Sequence, residues 1–161
     1  GLEAVREVYD YAASIGIRTI YEDQGFLFNG CENFTRFLQD VGRNVGVVAD
    51  FGNIQFVDEN VEDFIPKFAD RIVHVHAKDY IVTDGASRGI LPGEYTSKGG
   101  NYLQGCLIGQ GSVRTDAAFQ ALKAVGYQGF VALEGDPIGP DEETSFCKNL
   151  ETVTRYIDTY L

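Results

Sequence analysis

Basic residues are scarce in this chain: 13 Lys and Arg stand against 24 Asp and Glu, a formal net charge of -11. Neutralising phosphates needs clustered cations, so the balance argues against nucleic acid or an anionic membrane as the main partner. Cysteine is sparse as well. Cys31, Cys106 and Cys147 are odd in number and widely spaced, with no CxxC pair. That pattern speaks against a disulfide framework and for a reducing compartment, the cytoplasm. No apolar run approaches the roughly 20 residues of a membrane span, and residues 1–15 pattern as an amphipathic helix rather than a signal peptide. The chain opens on Gly1 instead of Met, which points to a piece cut from something longer. What remains, 161 residues at 44% hydrophobic and 12% aromatic, describes one globular domain over 1–161 with a core of its own.

Histidine is rarer still, and both copies fall in Ile72-Val-His-Val-His76. A strand alternates faces with a period of two, so His74 and His76 are expected on one side and Val73 and Val75 on the other. The same helix-then-strand unit recurs four times. Residues 2–15 place Leu2, Val5, Val8, Tyr9, Ala12 and Ile15 at helical spacing before Gly16, and the run 17–22 follows. A helix near 32–42 leads to the run 45–50. A helix near 59–70, kinked or shortened by Pro66, leads to 72–76. A helix over 115–125, with Thr115 as N-cap, leads to 130–134, and a last helix fills 143–160. Helices alternating with short, almost continuously apolar runs predict βα units around a parallel sheet. Residues 80–112, glycine-rich and containing Pro92, are expected to form a long functional or mobile loop.

The four strand runs end in Glu22, Asp50, His76 and Glu134. The carboxyl ends of parallel strands form one rim, where catalytic groups collect. A single strand-end acid often does no more than cap the next helix, but four ligand-type side chains in phase with four strands predict a shared site. Ile20, Val48, His74 and Ala132 then lie one layer deeper on the same face. Tyr21, Ala49, Val75 and Leu133 face the helices. His74 is expected to be a buried, hydrogen-bonded core residue rather than a ligand. Three carboxylates and one imidazole suit one divalent cation, Mn²⁺, Co²⁺ or Mg²⁺, with Zn²⁺ less favoured.

The segments Tyr21-Glu-Asp23, Val48-Ala-Asp-Phe-Gly-Asn53, His74-Val-His-Ala-Lys-Asp79, Ile108-Gly-Gln-Gly-Ser-Val113 and Gly129-Phe-Val-Ala-Leu-Glu-Gly135 carry a resemblance. In wording and order they resemble the successive signatures of the xylose-isomerase-like TIM barrels, the sugar isomerase/epimerase superfamily. The resemblance implies the C-terminal half, strands five to eight, of a (β/α)8 barrel. It implies a metal held by Glu22, Asp50, His76 and Glu134, and an acid/base pair, Glu22 and Glu134, that moves a proton next to a carbonyl through a metal-stabilised enediolate. A sugar or cyclitol is the implied substrate.

Two positions depart from the ketose 3-epimerase branch, which has a His where this chain has Asn53 and an Arg where it has Val82. Asn53, Lys78, Asp79 and Arg88 are candidates for substrate contact, although Lys78 and Asp79 are equally placed to form a structural ion pair. Inosose or keto-sugar dehydratases share the scaffold and remain an alternative activity. The AP endonucleases of the superfamily need more histidines and a grip on DNA, which two histidines and the acidic balance disfavour. A half-barrel kept only as an interaction module is the non-enzymatic alternative. Bare strand edges at 17–22 and 129–134 predict pairing with a second copy or with a missing N-terminal half-barrel.

Overall fold

A computed structural model describes residues 1–135 and 141–161. Helix α1 (Leu2–Ser14) leads to strand β1 (Ile20–Glu22), then α2 (Cys31–Val41) to β2 (Gly46–Asp50). A 3-10 turn (Asn53–Val57) and α3 (Val61–Lys67) precede β3 (Ile72–Ala77). Three short strands follow, β4 (Tyr80–Thr83), β5 (Tyr95–Thr96) and β6 (Tyr102–Gly105), before α4 (Thr115–Ala124), β7 (Phe130–Leu133) and α5 (Glu142–Tyr160). Strands β1, β2, β3 and β7 form one parallel sheet in that order.

Sequence spacing explains the layering. In α2 the buried residues Phe34, Phe37, Leu38 and Val41 recur at i, i+3, i+4 and i+7, one stripe of the helix. Phe34 meets Phe37, Phe64 and Phe68 at centroid distances of 5.8, 5.5 and 5.4 Å, tying α2 to α3. Burying each such ring contributes about 1.5–3 kcal/mol. The core lies between the helices and one face of the sheet, where Tyr21, Val47, Ala49, Val75, Ala77 and Leu133 meet α2–α5. The opposite face carries Val48, His74 and Ala132 with the exposed Ile20 and Phe130. Both edges of the sheet, β1 and β7, are unpaired among the described residues.

Several expectations need correction. The stretch 80–112 is not a structureless loop: β4, β6 and β5 form an antiparallel sheet. Its Ser97 hydroxyl, Gly99 N–H and Asn101 amide all donate to the carboxylate of Asp58, at 2.6, 2.6 and 2.8 Å. Pro66, with no N–H to give, lies next to the last residue of α3, which stops at Lys67 and not at residue 70. Helix α4 is preceded by Arg114, so Thr115 is its first residue and not its cap. Strict alternation fails in β3. Val47 pairs with Ile72 and Val48 with His74, and this bulge puts Ile72 into the core in place of Val73.

Candidate metal centre

Four strand ends bring their side chains together. Glu22, at the end of β1, and Glu134, just after β7, come from opposite edges of the sheet, yet both reach His76 of β3. Its Nδ1 lies 2.8 Å from Glu22 Oε1 and 2.6 Å from Glu134 Oε2. Asp50 Oδ2 stands 3.7 Å from the same nitrogen. One ligand atom from each of Glu22, Asp50, His76 and Glu134 falls within 4.8 Å of the others, a set that could hold a metal ion.

Asp50 is the most constrained of the four. It is fully buried, and its Oδ1 accepts the backbone N–H groups of Gly52 and Asn53 at 2.8 and 2.7 Å. Its own N–H donates to Oδ1 of Asp23 at 2.9 Å. Oδ2 alone has no hydrogen-bond partner. A buried carboxylate oxygen left bare is costly unless something of opposite charge faces it. The hard oxygen donors and the single imidazole fit a divalent cation here. Gly52 is required by crowding at the turn, since a Cβ there would lie 2.9 Å from Lys78 Cγ and from the Tyr80 ring.

Two of the residues expected to contact substrate join this cluster. Lys78 Nζ donates to Glu134 Oε1, stands 3.5 Å from Asp50 Oδ2 and lies 3.4 Å from Asn53 Oδ1. Asn53 Nδ2 donates to Glu22 Oε1 at 3.3 Å. Burial works against the Lys78 ammonium, but Asp50 and Glu134 outweigh it and hold its pKa above the ordinary value. Three carboxylates facing one imidazole act in the same direction on His76: Asp50 first and Glu22 second raise its pKa from 6.5 to about 10. His74 moves the other way, lowered by burial and by the neighbouring His76. It is half-buried rather than enclosed, with its ring edge-on to His76 at 5.1 Å.

The other two candidates are committed elsewhere. Lys78 makes its ion pairs with Asp50 and Glu134 and not with Asp79. The buried Asp79 carboxylate accepts the N–H groups of Gly109, Gly111 and Val113. Arg88 forms an ion pair with Glu94 and lies over the Tyr102 ring, within the β4–β6 insertion. Sequence inspection missed Asp23 and Asn29. Asn29, fully buried, donates from Nδ2 to the Asn53 carbonyl at 2.6 Å, so the loop after β1 braces the turn after β2. The signal for Asp23 lies in the Tyr21-Glu-Asp23 segment, where it follows Glu22.

A family model described as xylose isomerase-like TIM barrel matches residues 2–154. The chain belongs to that family. Solved structures share the fold. A xylose isomerase domain protein from Planctomyces limnophilus superposes with a TM-score of 0.79 at 21% identity, over 99% of this chain and 53% of that one. A xylose isomerase-like TIM barrel protein from Mycobacterium smegmatis, in complex with magnesium, gives 0.72 at 22% identity, over 99% and 50%. D-allulose 3-epimerase from Methylomonas sp., in complex with D-allulose, gives 0.66 at 21% identity, over 96% and 54%. This xylose isomerase-like chain thus spans about half the length of each. No curated protein sequence matches it. Among the described residues no helix is long and apolar enough to cross a membrane.

Proposed function

We propose that the chain is the C-terminal half, strands five to eight, of a divalent-metal-dependent sugar or cyclitol isomerase/epimerase. The observation that carries the proposal is the convergence of Glu22, Asp50, His76 and Glu134 to within 4.8 Å from four separate strands. The half-length match to solved barrels supports the half-barrel assignment. The magnesium and D-allulose complexes among its structural relatives support the cation and the substrate class.

Glu22, Asp50, His76 and Glu134 would hold the cation, with His76 giving up its proton to serve as a ligand. A divalent ion bound there supplies Lewis-acid polarisation of a carbonyl oxygen. Glu22 and Glu134 approach from opposite edges of the sheet, so one, as carboxylate, would take the proton from the carbon next to the carbonyl while the other, as carboxylic acid, would give its own proton to the opposite face, which yields an epimer. A single group that carries the proton to the neighbouring carbon would yield an isomer instead. Lys78 holds Glu134 and Asn53 holds Glu22, which fixes both carboxylates before substrate arrives. The remaining wall of the substrate site belongs to an N-terminal half that would also cover Ile20, Phe130 and the two sheet edges.

The test is exchange of the α-proton in D₂O, followed by NMR, with the complete protein, Mn²⁺ and a panel of ketoses and inososes. Exchange on at least one of them, abolished by Glu22→Gln or Glu134→Gln, is expected. No exchange on any member contradicts the proposal.

A further inference from the structure

The loop after β1 and the turn after β2 are joined along a seam. The Phe26 and Phe56 rings lie 6.4 Å apart between centroids, Asn29 Nδ2 donates to the Asn53 carbonyl at 2.6 Å, and the Cys31 N–H donates to Glu59 Oε2 at 2.8 Å. Each contact pairs a residue of 26–31 with one of 53–59, so the two segments run side by side. Gly30 sits in the seam with φ of +82°, and a Cβ there would lie 2.6 Å from Glu59 Oε1, so this approach requires glycine.

Asn29 is fully buried within the seam. Its Oδ1 accepts the Gly30 N–H at 2.7 Å, which turns Nδ2 toward the Asn53 carbonyl. The flipped amide would set oxygen against oxygen on one side and N–H against N–H on the other. Asn53 in turn stands between the two glutamates of the metal cluster. Its Nδ2 donates to Glu22 Oε1 at 3.3 Å, its Oδ1 lies 3.4 Å from Lys78 Nζ, and Lys78 donates to Glu134. A chain of polar contacts thus runs Glu22, Asn53, Lys78, Glu134, and Asn29 holds its middle from outside. Contacts of 3.3 and 3.4 Å are already long for hydrogen bonds, so a small displacement of Asn53 breaks both.

We propose that Asn29 is a positioning residue for the acid/base pair, acting through Asn53 on Glu22 directly and on Glu134 by way of Lys78. The inference rests on the metal centre and the paired glutamates proposed above. Asn29 combines a donor and an acceptor on one short, buried side chain, and the donor is the half that matters: aspartate at this position keeps the acceptor for Gly30 but turns a carboxylate oxygen toward the Asn53 carbonyl.

The test is a double-mutant cycle on the complete protein, read first as Mn²⁺ affinity by EPR. Asn29→Asp and Asn29→Ala are each expected to weaken binding by about 10-fold, the usual effect of losing a group that orients a ligand. Asn29→Asp keeps the size of the side chain and decides the matter if Asn29→Ala does not fold. Asn53→Ala removes the side chain through which Asn29 acts but keeps the carbonyl that Asn29 holds. In that background the Asn29 substitutions are expected to add less than about twofold, because residues that act through one another are not additive. A merely structural brace would lower Tm and leave affinity unchanged, or would add its full loss in both backgrounds; either result would overturn the proposal. The second reading is the Asn53 side-chain amide signal in ¹⁵N-asparagine-labelled protein, which is expected to shift in Asn29→Asp. An unmoved signal would overturn the proposal. If the native protein binds no Mn²⁺, the metal centre fails as a reading, while the Asn53 signal still decides whether Asn29 sets the position of that amide.

Discussion

The backbone N–H of Asp50 donates to Oδ1 of Asp23 at 2.9 Å, so two buried acids are joined at the candidate metal centre. Asp23 follows Glu22 in sequence and accepts the backbone N–H of Asp50, so it fixes one ligand strand against the next. Burial, with the charge of Asp50 behind it, pushes the Asp23 carboxyl well above the usual carboxylate range.

Removing that brace should loosen the centre from outside. Asp23→Ala is expected to weaken Mn²⁺ binding by about 10- to 100-fold, the usual cost of losing a group that orients a ligand. Asp23→Asn keeps an acceptor for the Asp50 N–H and should recover most of the affinity. Calorimetric titration of both variants checks this; equal losses would mean that the charge of Asp23 matters, and not its hydrogen bond.

The two histidines should titrate far apart. In protein stripped of metal, His76 is held protonated by Asp50 and Glu22 up to about pH 10, whereas His74 lies below 6.5. Because the folded pKa of His76 is raised, its contribution to stability is fully present below pH 6.5 and is lost as pH climbs through about 10. A cation must displace the same proton, so its apparent affinity should fall by about tenfold per pH unit below that midpoint. Ring-proton NMR distinguishes the two residues; a His76 midpoint near 6.5 contradicts the electrostatic picture.

Lys78 would share the centre with a bound cation. Its ammonium lies 3.5 Å from Asp50 Oδ2, where it opposes a second positive charge while holding Glu134. Lys78→Met is expected to tighten Mn²⁺ binding by about 3- to 10-fold through lost like-charge repulsion. It should also lower turnover, because Glu134 is no longer held. Weaker metal binding in this variant would assign Lys78 a purely structural role.

Glu22→Gln and Glu134→Gln should each lower kcat by about 10²- to 10⁴-fold, with smaller effects on KM, if each carries a proton in the reaction. Steady-state rates in the complete protein measure this, and full activity in either variant removes that residue from the acid/base pair.

The ligand cluster was legible because four apolar runs each end in a ligand-type side chain, and parallel strands bring such ends to one rim. The helices were legible from stripes such as Phe34, Phe37, Leu38 and Val41. What the sequence hid depends on partners remote in the chain. Asp79 resembles a site residue until Gly109, Gly111 and Val113 fold onto it, and Arg88 until Glu94 claims it. Strands β4–β6 are two to four residues long amid glycines, too short for periodicity to register. The β3 bulge arises from pairing with β2, so no local pattern around Val73 announces it.

Mn²⁺ titration followed by EPR, on the native protein beside Asp50→Ala, His76→Ala and His74→Ala, tests the metal centre most directly. One ion per chain is expected, nearly lost in Asp50→Ala and His76→Ala and retained in His74→Ala. Binding that survives loss of Asp50 or His76, or that disappears with His74, would contradict a centre built from Glu22, Asp50, His76 and Glu134.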